Sequence, residues 1–297
     1  MAEKKTVRPA SNQQSPTAFS VLSVNCNGLG TEKGNNNKIE RVRDACRAGG
    51  SSGGSSGGSS SSASLCCGWG YDVVQLQSVR VGNKRKEQVF SELEKVFPGW
   101  CAFYCCSNRA KPHLPGQGVL TLLSPRLVPY CYGAYSLNTT GEQAKQAVIL
   151  ALNFLGTPIK LGNIYIPPKL TNAGQTFRSL LDFPGNGNAV IAGNMNADFC
   201  HVTMKVCGLL TPQLETYNKV PCSPFTQAYA AAVVMDECAF DLLTLSEQRT
   251  AGGLFKPSSS GKVSTRYVHA AARGVSAASS IVELGPNLRA LSVRINI

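Results

Sequence analysis

The chain has 297 residues, of which 43% are hydrophobic and 15% are charged. That composition is enough for one large α/β domain or two ordinary ones. Lysine and arginine number 29 against 17 aspartates and glutamates, which gives a formal net charge of +12. A basic excess of this size favours an anionic partner: nucleic acid, an anionic membrane surface or an acidic protein. The alternative is a charge that only keeps the protein in solution. No apolar run reaches the roughly 18 residues that a membrane span requires.

The cysteines and the N-terminal segment bear on the cellular compartment. There are 12 cysteines. No Cys-x-x-Cys pair occurs among them, so we expect no structural zinc site. No secretory signal precedes the first apolar segment, which predicts reduced thiols in an intracellular compartment. Residues 1–18 are basic, rich in Ser and Gln, and carry Glu3 as their single acid. They are weakly similar to an organelle-targeting segment, which would place the protein in mitochondria, and equally typical of a flexible tail.

Hydrophobic periodicity and turn residues predict short strands interspersed with helices. The predicted strands, in chain order, are Phe19–Val24, Asp72–Gln77, Trp100–Cys106, Gly118–Leu123, Val148–Phe154, Ile159–Pro167, Ala189–Ala192, Arg266–Ala271, Ser280–Leu284 and Leu291–Ile297. The predicted helices are Lys38–Ala48, Lys86–Phe97 and a segment that ends at Phe177–Leu181. Gly156 marks the turn of a hairpin between the fifth and sixth strands.

Six short motifs lie at the ends of these predicted strands. They read Ser23-Val-Asn25-Cys-Asn27-Gly28-Leu29, Asp72-Val-Val-Gln-Leu-Gln77-Ser78, Asn163-Ile-Tyr165-Ile-Pro167, Gly193-Asn194-Met-Asn196-Ala197, Thr265-Arg266-Tyr-Val268 and Pro286-Asn287-Leu288-Arg289-Ala290-Leu291. Their order and spacing resemble the endonuclease/exonuclease/phosphatase superfamily, and within it the abasic-site and LINE-type retrotransposon endonucleases. The resemblance covers nearly the whole chain from Phe19. It implies an α/β fold: a four-layer α/β/β/α sandwich of two mixed sheets flanked by helices.

The same resemblance suggests how the chain is divided. The Gly/Ser tract at residues 49–64 lies where family members have a short helix-to-strand loop, and it cannot bury apolar surface. We therefore interpret it as a flexible insertion inside one domain, either natural low complexity or a linker of engineered type. The expected organisation is a flexible basic tail at 1–18 followed by a single domain at 19–297.

Several binding positions of the superfamily are kept. Members that cleave phosphodiesters hold a divalent metal on carboxylates at one end of the sandwich, and a histidine–aspartate pair acts on water and phosphate. The resemblance implies that Asn25 and Asn27 match the asparagines that contact metal and phosphate. Tyr165 matches the phosphate-side tyrosine, and Asn196 matches the asparagine of the Gly-Asp-x-Asn motif.

The acid–base residues of the superfamily are replaced. Its metal-binding glutamate corresponds to Ser78, the aspartate that positions water to Asn194, and the aspartate that orients the histidine to Val268. In the last motif the metal-linked aspartate is Asn287 and the general base is Leu288. Losing one member of such a unit commonly costs several powers of ten in rate. The resemblance therefore implies a catalytically degenerate protein with no catalytic residues, metal or cofactor, in which Val268 and Leu288 form a small apolar contact.

These replacements also change the charge of the old active-site face. Restoring four acids, at Ser78, Asn194, Val268 and Asn287, would lower the net charge from +12 to 12 − 4 = +8. Without those carboxylates, phosphate can approach the face with no metal to screen it. The candidate nucleic-acid-binding residues are Arg80, Lys84, Arg85, Lys86, Arg109, Lys111 and Arg266. A solvated basic loop is the alternative interpretation of this group.

Three functions remain open at this point. The first is a pseudo-nuclease kept as a subunit of a large assembly such as an organellar ribonucleoprotein, for example a ribosome. The second is a separate nucleic-acid-binding protein that uses the old groove, with RNA favoured over DNA. The third is an active magnesium-dependent phosphodiesterase with a reorganised site built from Asn25, Asn196, Asp198 and His269.

Overall fold

The computed structural model describes residues 16–26, 35–48, 69–79, 81, 86–106, 118–138, 146–166, 173–182, 186–196, 234–243, 255–257, 264–266, 268–284 and 288–297. The predicted tail at 1–18 lies outside these residues except for its last three. The predicted Gly/Ser insertion at 49–64 lies entirely outside them.

The described residues form strands and helices in the following order. The strands are β1 (Ala18–Asn25), β2 (Val73–Gln77), β3 (Cys101–Cys106), β4 (Gly118–Leu123), β5 (Cys131–Asn138), β6 (Gln146–Phe154), β7 (Thr157–Tyr165), β8 (Ala189–Asn194), β9 (Asp241–Leu242), β10 (Phe255–Pro257), β11 (Ser264–Arg266), β12 (Val268–Arg273), β13 (Ala277–Glu283) and β14 (Arg289–Asn296). The longer helices are α1 (Asn35–Ala48), α2 (Lys86–Val96) and α3 (Ala173–Asp182), and a 3₁₀ helix spans Val128–Tyr130. Residues 234–237 are also helical.

Two six-stranded sheets account for most of the strands. The first sheet has the order β13-β14-β1-β2-β4-β3, and the second has the order β5-β6-β7-β8-β12-β9. Each sheet contains one parallel pair, β1 with β2 and β7 with β8, and the other paired strands are antiparallel. The structure thus confirms the predicted fold class, in which two mixed sheets form an α/β sandwich.

Strand alternation divides the core into two layers. Between the sheets pack side chains such as Val21, Val73, Leu161 and Val190. On the other face of the first sheet, Leu22, Val74 and Leu76 pack against Ile39 of α1 and Leu93 of α2. Each residue in the strands of the two six-stranded sheets therefore faces either the layer between the sheets or an outer layer, and this alternation decides on which side a candidate side chain of these strands lies.

The predicted elements differ from the structure in two informative places. The single strand expected at Arg266–Ala271 is two strands, because β11 pairs with β10 in a separate ribbon whereas β12 pairs with β8 in the second sheet. No strand was predicted at β5, which lies at the edge of the second sheet. The hairpin expected around Gly156 is observed, with β6 and β7 paired antiparallel.

An ion pair fixes the end of the first sheet where β1 and β2 begin. The Arg126 guanidinium donates to both carboxylate oxygens of Asp72 at 2.7 Å and to the Ala18 carbonyl at 3.1 Å. The Asp72 carboxylate also accepts the Ser20 amide at 3.1 Å. This bidentate ion pair, together with the bonds to β1, joins β1 and β2 at the end of the sheet where both strands begin.

The described helices do not support a membrane span. None of them is both long enough and apolar enough to cross a lipid bilayer.

Candidate functional site

The parallel pair of the first sheet brings two candidate positions together. Asn25, the last residue of β1, lies opposite Gln77, the last residue of β2. The Cys26 amide donates to the Gln77 carbonyl at 3.0 Å. Ser78 follows directly, and its side chain is 5% exposed. The carboxyl ends of β1 and β2 thus place Asn25 and Ser78 side by side.

The parallel pair of the second sheet brings three more candidate positions together. Tyr165 at the end of β7 lies opposite Asn194 at the end of β8, and Asn194 lies opposite Val268 at the start of β12. The Ile166 amide donates to the Asn194 carbonyl at 2.9 Å, which extends the ladder one residue beyond β7. Tyr165, Asn194 and Val268 therefore form one row across the end of this sheet.

A buried amide pair brings the two rows to the same end of the sandwich. The Gln77 side-chain amide donates to Asn163 Oδ1 at 2.9 Å, and Asn163 Nδ2 donates to the Leu120 carbonyl at 3.0 Å. Asn163 lies two residues before Tyr165 on β7, and Gln77 lies beside Asn25. The carboxyl ends of β1, β2, β7 and β8 therefore meet at one end of the molecule, which we call the strand-end face.

Most predicted site positions lie at the strand-end face. The structure places Asn25, Ser78, Tyr165, Asn194, Asn196, Val268 and Leu288 there, because each ends, follows or begins a strand at that end. Asn27 and Asn287 lie outside the described residues. The convergence expected from the sequence motifs is observed for these seven positions, although it does not by itself assign a role to any of them.

The backbone at this face adopts unusual conformations at two candidate positions. Ser78 has a φ of +55° and Asn196 a φ of +47°. Only a few per cent of non-glycine residues adopt positive φ, and such residues are concentrated at functional sites. Each lies just beyond the end of a buried strand, β2 or β8, where surrounding packing can hold the strained turn.

The asparagines of the second sheet brace each other. The Asn196 amide donates to Asn194 Oδ1 at 3.1 Å, and Asn196 Nδ2 donates to the Ile166 carbonyl at 2.7 Å. Asn194 is only 3% exposed. The two side chains thus fix the turn after β8 against the end of β7 through neutral amide groups.

The prediction that Val268 and Leu288 form an apolar contact is wrong. Val268 belongs to the core between the sheets, whereas Leu288 belongs to the core that packs against α1 and α2. The reason is strand parity: Leu288 shares a face with Ala290 on β14, and that face is turned away from the second sheet. The two residues therefore lie on opposite sides of the first sheet.

A lysine that no sequence motif indicates also lies at the site. Lys38 lies in the first turn of α1, and its Nζ donates to the Cys26 carbonyl at 2.8 Å. The ammonium group is therefore held at the residue that follows Asn25. The signal was present, since the helix was predicted to begin at Lys38, but the side chain was assigned to a helix and not compared with the end of β1.

Of the candidate basic residues, Lys86 is the one whose side-chain position the structure describes. It is the first residue of α2, it is exposed, and its Nζ lies 5.9 Å from the Tyr104 ring centre and 6.0 Å from that of Phe90. Tyr104 pairs with Leu120 on β4, so Lys86 is at the rim of the strand-end face. Arg266 ends β11, and Arg80, Lys84, Arg85, Arg109 and Lys111 lie outside the described residues.

The oxygen ligands at this face do not suit a divalent metal. Mg²⁺ prefers hard oxygen donors and usually takes one or two carboxylates. The described candidate positions offer amides from Asn25, Asn194 and Asn196 and a hydroxyl from Ser78. Across the described residues, no group of three His, Cys, Asp or Glu side chains could hold a metal ion. Lys38 adds a positive charge close to Asn25, which further disfavours a cation there.

Cys26, the residue after Asn25, is not suited to act as a nucleophile. It is 1% exposed, and burial raises the pKa of its thiol to about 12, an effect that the nearby Lys38 ammonium only partly offsets. Thiolate, not thiol, is the reactive form.

We expect Cys26 to resist iodoacetamide at pH 8 in the folded protein and to react in urea. Its high pKa leaves almost no thiolate at pH 8, and burial blocks access to the reagent. Peptide mass spectrometry of the alkylated chain measures this directly. Rapid alkylation of Cys26 without denaturant would show that the end of β1 is open to solvent.

His269 is placed away from the candidate residues. It follows Val268 on β12, where successive side chains point to opposite faces, and it is 0% exposed. Val268 faces the core between the sheets. His269 therefore lies on the outer face of the second sheet, and Asp198, the acid considered with it, lies outside the described residues.

Several solved structures have a similar architecture. No protein-family model and no curated protein matches the chain. Among solved structures, an endonuclease/exonuclease/phosphatase family protein from Leptotrichia buccalis C-1013-b has a TM-score of 0.59 at 13% identity, covering 94% of this chain and 100% of that one. TDP2 from D. rerio, complexed with single strand DNA product, has a TM-score of 0.54 at 11% identity, covering 95% and 100%. Cimex nitrophorin, as a ferrous NO complex, has a TM-score of 0.51 at 10% identity, covering 95% and 100%.

The chain thus has the fold of the endonuclease/exonuclease/phosphatase proteins. A nitrophorin has a similar fold, so the fold alone does not fix the function. What the chain does has to be argued from the residues at the strand-end face.

Proposed function

We propose that this chain binds nucleic acid at the strand-end face without a metal ion and without cleaving it. The observation that carries the proposal is the set of side chains that converge there. At the described positions where the sequence motifs would require carboxylates there are a hydroxyl (Ser78), an amide (Asn194) and an apolar side chain (Val268). The Lys38 ammonium donates to the carbonyl of Cys26, the residue after Asn25. A neutral-to-positive face is complementary to phosphate.

The electrostatics of the surrounding elements support this. The helices α1 and α2 begin at the strand-end face, at Asn35 and Lys86, so their partial positive charges point toward it. Lys86 adds an exposed cation at the rim. The net charge of +12 attracts a polyanion over a longer range.

Catalysis is disfavoured by the same residues. Leucine and valine cannot transfer or orient a proton, and amides do not act as general bases near neutral pH. We infer that the protein is an inactive relative of magnesium-dependent endonucleases. Magnesium-dependent turnover of an oligonucleotide that disappears in Asn196→Ala would overturn this inference.

A matched pair of lysine variants tests the binding site. Lys38→Gln should weaken binding of a labelled 20-nucleotide single-stranded RNA by roughly 5- to 10-fold and lower the slope of log Kd against log salt by about one. Fluorescence anisotropy in EDTA at several salt concentrations measures both quantities.

Lys95→Gln is the control, because it removes the same charge from the last turn of α2, about 13 Å along the helix from Lys86. It should change affinity by less than about 2-fold, since it lies away from the strand-end face. Equal effects of the two substitutions would mean that the overall charge, and not this face, binds RNA. The same titration with single-stranded DNA tests the preference for RNA over DNA.

A second candidate function is that of a protein subunit in a large assembly, such as an organellar, for example mitochondrial, ribonucleoprotein. One observation favours it: Tyr132 and Tyr135 are 59% and 52% exposed on β5, an uncharged edge strand. Tyrosine is enriched at interfaces, and an edge strand can pair with a partner strand. Migration of the untagged protein as a free monomer in native lysate would contradict this function. Loss of comigration on ribonuclease treatment would indicate that RNA holds the protein in the assembly.

A further inference from the structure

Two edge strands meet at one side of the sandwich. β3 is the last strand of the first sheet and β5 is the first strand of the second. Their Cα atoms approach within 8 Å of one another, and Cys105 Sγ on β3 lies 3.4 Å from the Leu137 carbonyl oxygen on β5. The two sheets are therefore in direct contact along this edge.

The two strands run in the same direction, and each begins with a cysteine. β3 is antiparallel to β4, which is antiparallel to β2, so β3 runs toward the strand-end face. β5 is antiparallel to β6, which is antiparallel to β7, so β5 also runs toward that face. Cys101 and Cys131 therefore lie at the same end of this edge, opposite to the strand-end face.

The strand geometry brings the two cysteines to nearly the same level. Cys101 lies four residues before Cys105 on the same inner face of β3, a distance of about 13 Å along the strand. Cys131 lies six residues before Leu137, but one residue of this stretch is taken up by a bulge between Cys131 and Gly133, which leaves about 17 Å. Because Cys105 and Leu137 are in contact, Cys101 and Cys131 are offset by roughly one residue.

Both cysteines are partly exposed. Cys101 and Cys131 are free, half-buried and packed against the same core between the sheets. Cys131 Sγ donates to the Gly133 carbonyl at 3.5 Å. Burial is the main reason that the pKa of Cys131 is raised; the hydrogen bond to the Gly133 carbonyl lowers the pKa, and Cys101 makes a smaller contribution that raises it. Cα separations below about 7 Å permit a disulfide, and Cα atoms of β3 and β5 approach within 8 Å of one another.

We propose that Cys101 and Cys131 form a disulfide that ties the two sheets together when the protein meets an oxidised thiol such as glutathione disulfide. The Cys101 thiolate attacks one sulfur of glutathione disulfide, which forms a mixed disulfide and releases one glutathione thiolate. Cys131 then loses its proton and attacks the Cys101 sulfur, which releases the second glutathione. Two protein thiols are oxidised and one glutathione disulfide is reduced to two glutathiones.

The bond would close a segment of roughly 30 residues and restrict the unfolded chain, so we expect the melting temperature to rise by about 5 °C. The folded chain is incubated with excess glutathione disulfide, alkylated, and digested without reductant. Mass spectrometry should find a peptide that joins Cys101 to Cys131. Dithiothreitol should remove both the cross-link and the increase in melting temperature.

Serine variants identify the bond. Cys101→Ser and Cys131→Ser should each abolish the cross-link and the shift in melting temperature. The control, Cys238→Ser, removes a half-exposed cysteine outside this edge and should leave both unchanged. Stable glutathionylation of either residue without a cross-link, or a cross-link to a different cysteine, would overturn the proposal. If a variant does not fold, the peptide map of the unaltered chain decides the question alone.

Discussion

Replacing Gly193 with alanine should destabilise the protein by about 3–5 kcal/mol or prevent folding. Gly193 has a φ of +155°, which side-chain-bearing residues rarely adopt, and a Cβ there would overlap the carbonyl oxygen of Ile164. Gly193 and Ile164 are paired residues of the central strands β8 and β7, so neither backbone can move aside without separating the two strands. Since Asn194 follows directly, the end of β8 would also be displaced.

Gly156 provides the control for this substitution. It also has a positive φ, +89°, but an added Cβ would meet no atom within 4 Å. Gly156→Ala should therefore cost only the backbone strain, about 1 kcal/mol. Urea unfolding followed by tryptophan fluorescence measures both variants, because Trp69 and Trp100 pack together with a ring-centre distance of 5.4 Å and report on the core beneath the helices. Equal costs at the two glycines would show that the clash with Ile164 is relieved by a small movement.

The sequence predicted the central strands well because burial on both faces leaves a clear pattern. β2, β4 and β8 are buried at every position, and their sequences are short, predominantly apolar segments bounded by turn residues, although β2 includes Gln75 and Gln77. β5 was missed for the opposite reason. Its sequence, Cys-Tyr-Gly-Ala-Tyr-Ser-Leu-Asn, neither alternates nor runs apolar, because an edge strand is packed on few sides.

The site was predicted at the level of backbone positions but not of side-chain contacts. Motif order identified which strand ends converge, since core packing fixes those ends. It could not show that Leu288 faces away from Val268, which depends on the parity of β14, or that Lys38 reaches back to Cys26 from α1. Contacts of this kind depend on the orientation of side chains across elements, which local sequence does not encode.

The hydrogen bonding of the buried amides between the sheets could not be predicted from the sequence either. Gln75, Gln77 and Asn163 lie within strands that were correctly predicted as buried, and each is 0% exposed. Nothing in the sequence distinguishes which of these amides has a partner, because the Gln77–Asn163 pair joins residues 86 positions apart. In the structure they differ sharply. The Asn163 side-chain oxygen accepts a hydrogen bond and its nitrogen donates one. Both polar side-chain atoms of Gln75, in contrast, are without a hydrogen-bond partner among the described residues.

Asn163→Leu should destabilise the protein by about 2–5 kcal/mol. The substitution removes the acceptor of Gln77 Nε2 at 2.9 Å and the donor to the Leu120 carbonyl at 3.0 Å, and it leaves these polar groups of the first sheet buried without that partner. The donation to Thr121 Oγ1 at 3.2 Å is lost as well. Chemical denaturation measures the change, and circular dichroism of the folded variant confirms that the fold is retained.

Gln75→Leu is the matched change, since it also replaces a buried amide in the same layer with an apolar side chain. We expect no loss of stability and a gain of up to about 1 kcal/mol, because burying an amide without hydrogen bonds is itself unfavourable. The difference between the two variants isolates the contribution of the hydrogen bonds that join the sheets beneath the strand-end face. If Gln75→Leu were as destabilising as Asn163→Leu, the Gln75 amide would have to be satisfied in solution, for which an internal water is the simplest partner.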